Sequence, residues 1–239
     1  MCLPPGYGAE GRRRYPVLYM HDGQNIMGDT SPVGAAWRVD RTAAELVALG
    51  AVEPLIVVGV YHAGTGRIHE YAPTFDERRG EGGQAALYGR MLVEELKPFI
   101  DRTYRTRADA PNTGLGGSSL GGLVSLHLGL RHPDVFGKLA VMSPSVWWDR
   151  RMILREASAL PAKLPLRIWL SVGTAEARGA ALDVRRLRDI LVAKGWTPGV
   201  DLEYVEAKGA PHNEEAWAAL VGPMLRFLFG SRERGVGSP

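Results

Sequence analysis

The chain has 239 residues, 45% of them apolar and 23% charged, which suits one globular domain with a sizeable core and excludes a disordered or fibrous protein. The net charge of +3 arises from 29 basic residues interleaved with 26 acidic ones, so it gives no basis for a nucleic-acid partner. The single cysteine, Cys2, excludes an internal disulfide and a thiolate metal cluster, and the longest apolar run, Leu55 to Val60, is far too short to span a bilayer.

In chain order, the first dozen residues read as the end of an edge strand running into a turn, with Pro4, Pro5, Gly6 and Gly8. Tyr15 to Met20 is an apolar run without polar alternation, as expected of a strand buried on both faces of a parallel sheet. The polar loop His21-Asp22-Gly23-Gln24-Asn25 follows, then a helix over Ala36 to Leu49 that Gly50 stops. Leu55 to Val60 is a second buried strand. From Tyr61 to about Gly83 the pattern predicts a long loop without structure of its own, and such loops are usually functional or disordered. A helix is expected from Gln84 to about Phe99, with Tyr88, Leu92, Leu96 and Phe99 on one stripe and Pro98 ending or bending it.

Asn112 to Gly117 reads as a strand, Leu120 to Arg131 as a helix closed by His132-Pro133, and Lys138 to Met142 and Leu166 to Val172 as two further strands. A Trp-rich loop and a helical stretch near Arg151 to Ser158 separate those two. The remaining elements are a helix from Ala180 to Lys194, a strand from Asp201 to Val205, and a helix from Asn213 to Phe229 with a break or kink at Gly222-Pro223. The alternation of strands and helices predicts an α/β fold with a mainly parallel sheet covered on both faces, whose chemistry gathers at the carboxyl ends of the strands. Residues 1–230 are expected to form the one domain and residues 231–239 a disordered tail.

Gly117-Ser118-Ser119-Leu120-Gly121, between a strand and a helix, matches G-x-S-x-G with Ser119 at its centre. A serine hydroxyl is a weak nucleophile at neutral pH and acts only when exposed on a sharp turn beside a base. In this topology the partners follow in the chain order serine, acid, histidine. Of six histidines only His212 lies beyond the serine's helix, in the Gly209-Ala210-Pro211-His212 loop, which makes it the expected base. The loop Gly173-Thr174-Ala175-Glu176 offers Glu176 as the acid, with Asp183 and Asp149 as rivals. The oxyanion of an acyl-transfer intermediate needs two backbone donors: the Leu120 N–H at the helix start, and Gly23 or Gln24 in the loop after the first buried strand. His21 would brace that loop.

These segments, with Ser143-Pro144-Ser145-Val146-Trp147-Trp148, together resemble the putative-esterase family of α/β-hydrolases from about Tyr15 to Phe229. That family includes enterochelin (ferric siderophore) esterases, feruloyl and acetyl-xylan esterases, S-formylglutathione hydrolases and mycolyltransferases. The resemblance implies an α/β-hydrolase fold without a large cap domain and without the added N-terminal β-domain of some relatives. It implies a serine carboxylic-ester hydrolase with Ser119 as nucleophile, His212 as base and Glu176 as acid, glutamate standing where aspartate is commoner and a serine–histidine pair being the alternative. Trp147 and Trp148 resemble tryptophans near the pocket of the siderophore branch, and Arg67, Glu70 and Tyr71 match a recurring motif with a loop-bracing or substrate-contact role. No metal or organic cofactor is implied; the expected partner is a small-molecule ester, with neither nucleic acid nor membrane. The expected location is the cytoplasm, or the periplasm or exterior if a leader has been removed. An acyltransferase and a non-catalytic ligand-binding relative are the other readings of the same scaffold.

Overall fold

The computed structural model describes residues 1–9, 11–32 and 34–231. The expected tail at 231–239 therefore falls outside the described residues apart from Ser231.

The first half contains strand β1 (Val17–Met20), a two-residue ribbon of β2 (Thr30–Ser31) and β3 (Gly34–Ala35), helix α1 (Val39–Ala48) and strand β4 (Ile56–Gly59). Helix α2 (Arg67–Tyr71), a second ribbon of β5 (Phe75–Asp76) and β6 (Glu81–Gly82), and helices α3 (Ala85–Arg90) and α4 (Lys97–Thr103) follow. The second half runs β7 (Thr113–Ser118), α5 (Leu120–Arg131), β8 (Lys138–Met142), α6 (Trp148–Ser158), β9 (Arg167–Gly173), α7 (Ala180–Ala193), β10 (Leu202–Ala207) and α8 (Glu214–Phe229). Six strands form one parallel sheet in the order β10-β9-β8-β7-β1-β4. Cys2 pairs in antiparallel fashion with Val57, covering part of the outer edge of β4.

Alternate residues of the apolar strands feed two cores, which is why these strands show no polar alternation. Val17 and Tyr19 join Leu115, Leu123, Val141 and Trp148 on one face, under α3, α5, α6 and α7. Leu18 and Met20 join Trp37, Leu46, Trp217 and Phe229 on the other, under α1 and α8. The sheet is thus parallel and covered by helices on both faces, in an α/β-hydrolase architecture with no large cap among the described residues.

Three local expectations are corrected. The stretch from Tyr61 to Gly83 is not a bare loop: it holds a 3-10 turn at Gly64–Gly66, helix α2 and the β5–β6 ribbon. Pro98 does not end its helix, because a π-helical turn over Met91–Leu96 precedes it and Pro98 falls in the first turn of α4, where a missing N–H costs little. The wider turn also rotates the apolar stripe, so Ile100 is buried and Phe99 lies outside. Helix α8 runs on through Pro223, whose ring and the Ala219 residue one turn earlier are both exposed, so water can satisfy the freed carbonyl. Among the described residues no helix is long and apolar enough to cross a membrane.

The helix that follows the serine lies hard against β8. A Cβ on Gly122 would stand 2.8 Å from the Met142 carbonyl oxygen and 3.2 Å from the Pro144 Cα, both backbone atoms that cannot turn aside. Helix propensity alone would make Gly122→Ala stabilising by about 1 kcal/mol. The packing reverses the sign, so Gly122→Ala is expected to lower the urea midpoint relative to wild type; a rise would show that α5 has room to withdraw.

Candidate active site

Five segments meet at the carboxyl ends of β1, β7, β8, β9 and β10. Ser119 links β7 to α5 with φ 58° and ψ −122°, a backbone conformation that L-residues rarely adopt. It persists because both its peptide groups are tied to the end of β8 and the segment after it: Ser119 N–H donates to the Met142 carbonyl at 3.0 Å and Ser145 N–H to the Ser119 carbonyl at 3.0 Å. The Ser119 hydroxyl has Ser145 Oγ as its neighbour at 3.4 Å, and among the described residues it makes no hydrogen bond to His212.

His212 and Glu176 are brought together. His212 Nδ1 lies 2.7 Å from Glu176 Oε2, and the loops that carry them are stitched by Ala175 N–H to the Ala210 carbonyl at 3.1 Å and Gly209 N–H to Thr174 Oγ1 at 2.8 Å. Glu176 Oε1 accepts from Ser143 Oγ at 2.6 Å and from the Gly173 N–H at 2.7 Å. Burial alone would push this carboxyl up; the hydrogen bonds from His212, Ser143 and Gly173 outweigh it and hold the group below the usual glutamate value, hence ionised. The Trp217 indole N–H donates to Ser143 Oγ at 2.9 Å, and its ring meets the His212 imidazole edge-on at 4.9 Å. The rivals Asp183 and Asp149 are engaged elsewhere. Asp183 is buried under Arg151 at 2.7 Å and Arg186 at 3.2 Å, and Asp149 accepts from Thr74 Oγ1 at 2.8 Å.

The loop after β1 enters with Asp22 in the left-handed region, φ 54°, and winds into a 3-10 turn at Gly23–Asn25. Three side chains secure it. Arg67 grips the Asp22 carboxylate with Nε at 2.6 Å and Nη2 at 2.8 Å, the Asp22 N–H donates to the Tyr71 hydroxyl at 3.0 Å, and the Arg67 guanidinium lies over the Tyr71 ring at 5.0 Å. His21 is buried with Nδ1 2.8 Å from the Tyr88 hydroxyl. The Gly23 N–H donates to the Val60 carbonyl at 2.9 Å, and a Cβ at Gly23 would sit 2.5 Å from the Gly59 carbonyl carbon, so this glycine serves close packing on β4. Among the described residues the backbone N–H groups of Gln24 and Leu120 have no backbone acceptor.

The tryptophans and the Arg67–Tyr71 pair differ from the expected pocket lining. Trp148 and Tyr71 are buried at 1% and 0% exposure, Trp148 donating its indole N–H to the Thr74 carbonyl at 3.0 Å, so both are core residues. Arg67 is a brace of the β1 loop. Trp147 alone stands outside, 45% exposed with the Arg79 guanidinium 4.5 Å over its ring. Beyond it Asp149, Arg150 and Arg151 form a left-handed turn, φ 37°, 53° and 62°, at a cost of roughly 1–2 kcal/mol for each non-glycine residue. Ser143, Ser145 and Trp217 were not singled out from the sequence as site residues. The available sign was two serines at the end of an uninterrupted apolar strand, where polar groups are unexpected unless they bond to something.

A family profile described as Putative esterase matches residues 1–228. The chain is 25% identical over 242 residues to the uncharacterised protein YbbA of Bacillus subtilis, covering 96% of this chain and 91% of that one. It is 28% identical over 236 residues to the ferri-bacillibactin esterase BesA of the same organism, covering 89% and 78%. To an endo-1,4-beta-xylanase/feruloyl esterase of Xylanibacter ruminicola it is 33% identical over 232 residues, 95% of this chain but only 28% of that one. Among solved structures, the BES protein from Bacillus cereus superposes with a TM-score of 0.72 at 23% identity, covering 90% of this chain and 83% of that one.

Two stability predictions follow from the loop after β1. Arg67→Met leaves the buried Asp22 carboxylate without its cation and should cost on the order of 3 kcal/mol in urea unfolding. An unchanged midpoint would remove the brace from the account. Burial lowers His21 from its ordinary value of 6.5 to about 4. Below 6.5 the unfolded chain therefore takes up a proton that the folded chain refuses. Stability is complete above that pH and declines on acidification towards 4, by on the order of 3 kcal/mol from this group. The slope between these pH values should flatten in His21→Gln; an unaltered slope would mean that His21 is not its source.

Proposed function

The chain belongs to the putative-esterase family and is a carboxylic-ester hydrolase, and from that premise we propose that it works through Ser119, His212 and Glu176 by way of an acyl-enzyme. The observation that carries this reading is the 2.7 Å contact of His212 Nδ1 with an ionised Glu176, beside a serine held at φ 58° on the turn between β7 and α5. With Nδ1–H directed at the carboxylate, Nε2 is left with its lone pair, which is the tautomer a general base requires.

In the first step Ser119 Oγ exchanges Ser145 for His212 Nε2, gives it the hydroxyl proton and bonds to the ester carbonyl carbon. The carbonyl oxygen takes up the electron pair as an oxyanion. Leu120 and Gln24 supply the two backbone N–H donors in this scheme, since Gly23 has already committed its own to Val60. The position of Leu120 at the start of α5 adds the positive end of the helix dipole. As the intermediate collapses, the His212 imidazolium returns the proton to the departing alkoxide and leaves an acyl group on Ser119. Water then gives a proton to His212 and its oxygen to the acyl carbon, which frees the acid and restores the serine. Glu176 remains a carboxylate throughout, stabilising the imidazolium and fixing its orientation. The relatives named as esterases of ferri-bacillibactin and of feruloyl groups support ester cleavage as the reaction class.

Hydrolysis of a short p-nitrophenyl ester should fall by at least about 10³-fold in Ser119→Ala and in His212→Ala. Glu176→Gln keeps the acceptor for Ser143 and Gly173 but turns an amide N–H towards Nδ1, forcing the wrong imidazole tautomer. A loss of about 10²- to 10⁴-fold with an unchanged fold is expected. A loss below about tenfold would instead favour a serine–histidine pair, and equal rates for wild type and Ser119→Ala would refute the scheme altogether. Mass spectrometry of a quenched reaction should place the acyl group on the peptide containing Ser119.

A further inference from the structure

One hydroxyl at the site is left over by the chemistry above. Ser143 and Ser145 both follow β8, and their side chains are spent differently. Ser143 Oγ donates to Glu176 at 2.6 Å and accepts from the Trp217 indole at 2.9 Å. Ser145 is 2% exposed, and among the described residues the one neighbour of its Oγ is Ser119 Oγ at 3.4 Å. Hydrogen-bonded hydroxyls usually lie at about 2.7–2.8 Å, so this contact is loose. A serine hydroxyl offers one donor and two lone pairs, and a buried one normally finds partners for them. Backbone bonds on either side hold the residue in place: its N–H donates to the Ser119 carbonyl at 3.0 Å, and its carbonyl accepts from the Trp148 N–H at 3.1 Å.

The sheet order decides which part of the reaction this hydroxyl faces. Strand β7, which leads to Ser119, lies between β1 and β8. The donor loop with Gln24 follows β1, so the oxyanion belongs to that flank. Ser145 follows β8, and Glu176 and His212 follow β9 and β10, all on the other flank. The leaving alkoxide and the water that replaces it must both lie beside His212 Nε2, because that atom protonates the one and deprotonates the other. Once Ser119 is acylated, its Oγ has no proton and is an ester oxygen, a poor acceptor. Ser145 thereby loses its partner on the flank where water has to bind, and a buried hydroxyl without a partner costs free energy until something takes that place.

We infer that Ser145 Oγ orients the water that hydrolyses the acyl-enzyme and selects it over alcohols. This role rests on the esterase reading of Ser119. Water has two O–H bonds. One donates to His212 Nε2 and the other to a lone pair of Ser145 Oγ, which leaves an oxygen lone pair aimed at the acyl carbon. As the new C–O bond forms, the first proton passes to His212 and the carbonyl electron pair moves onto the oxyanion. On collapse that pair returns, the bond from the acyl carbon to Ser119 Oγ breaks, and His212 gives its proton to the released serine oxygen. The second hydrogen of the water stays on the product acid, and Ser145 keeps its own proton throughout. An alcohol has a single O–H, which His212 must receive, and it presents carbon to Ser145. The residue therefore holds water in place and gives an alcohol nothing, which makes it a determinant of hydrolysis against acyl transfer.

The decay of the butyryl-enzyme separates the two fates. With enzyme in slight excess over 4-nitrophenyl butyrate, release of 4-nitrophenol reports acylation, and mass spectrometry of quenched samples reports loss of the acyl group from the peptide containing Ser119. Plotted against methanol concentration, the decay constant has the hydrolysis constant as its intercept and the methanolysis constant as its slope. In Ser145→Ala the intercept should fall about 10- to 100-fold, while the slope and the acylation rate stay within about threefold of wild type. The thiol of Ser145→Cys is close in size but a weak acceptor and should behave as alanine does, so either variant provides the test. An unchanged intercept, a common fall of intercept and slope, or a raised slope over an unchanged intercept, as relief of crowding would give, each overturns the role. Absence of an acyl group from Ser119 in wild type would instead refute the esterase reading itself, and this role with it.

Discussion

The Glu176 carboxylate is the point on which the geometry of the site depends. It receives donors from three segments: the His212 imidazole after β10, the Ser143 hydroxyl after β8, and the Gly173 amide at the end of β9. A buried carboxylate is stable as an anion only when its lone pairs are occupied in this way. Because its donors sit at the ends of neighbouring strands, the parallel register of β8, β9 and β10 sets the distances between them. Trp217 extends the arrangement to the opposite face, bonding Ser143 through its indole N–H while its ring backs His212. Helix α8 thereby fixes the His212 imidazole from two sides, by the chain that leads into it and by a side chain one turn along.

Much of this arrangement could be read from the residues. The strands were legible because both their faces are buried, which yields short continuous apolar runs. The order of serine, carboxylate and histidine expected of this topology pointed to His212 and, among three carboxylates, to Glu176, and the structure brings these two side chains together. Leu120 to Arg131 was legible to its ends, since a glycine-flanked serine opens it and His132-Pro133 closes it. Residues whose role is set by a partner far along the chain were not legible. Ser143 and Trp217 lie 74 positions apart and are joined by one hydrogen bond. Trp147 and Trp148 are adjacent in sequence, yet one is exposed and the other is core. The π turn at Met91–Leu96 left no compositional trace, and it moved burial from Phe99 to Ile100.

The backbone tells the same story as the side chains. Apart from Arg38, which precedes α1, every non-glycine residue with positive φ among those described lies at the carboxyl end of a sheet strand or in the segment just beyond. Asp22 follows β1, Ser119 follows β7, and Ser143 and the Asp149–Arg151 turn follow β8. Each costs about 1 kcal/mol or more in isolation, and each is held by bonds from outside its own segment: Arg67 and Tyr71 on Asp22, Met142 and Ser145 on Ser119, Ser171 and Glu176 on Ser143, Thr74 on the last turn. A regular strand end directs side chains up or down, into the two cores. A departure into the left-handed region turns Ser119 and Ser143 out over the top of the sheet, whereas Glu176 and His212 reach the same edge on loops without a strained non-glycine residue. Hydrogen bonds from other segments are the condition for keeping the strained serines there.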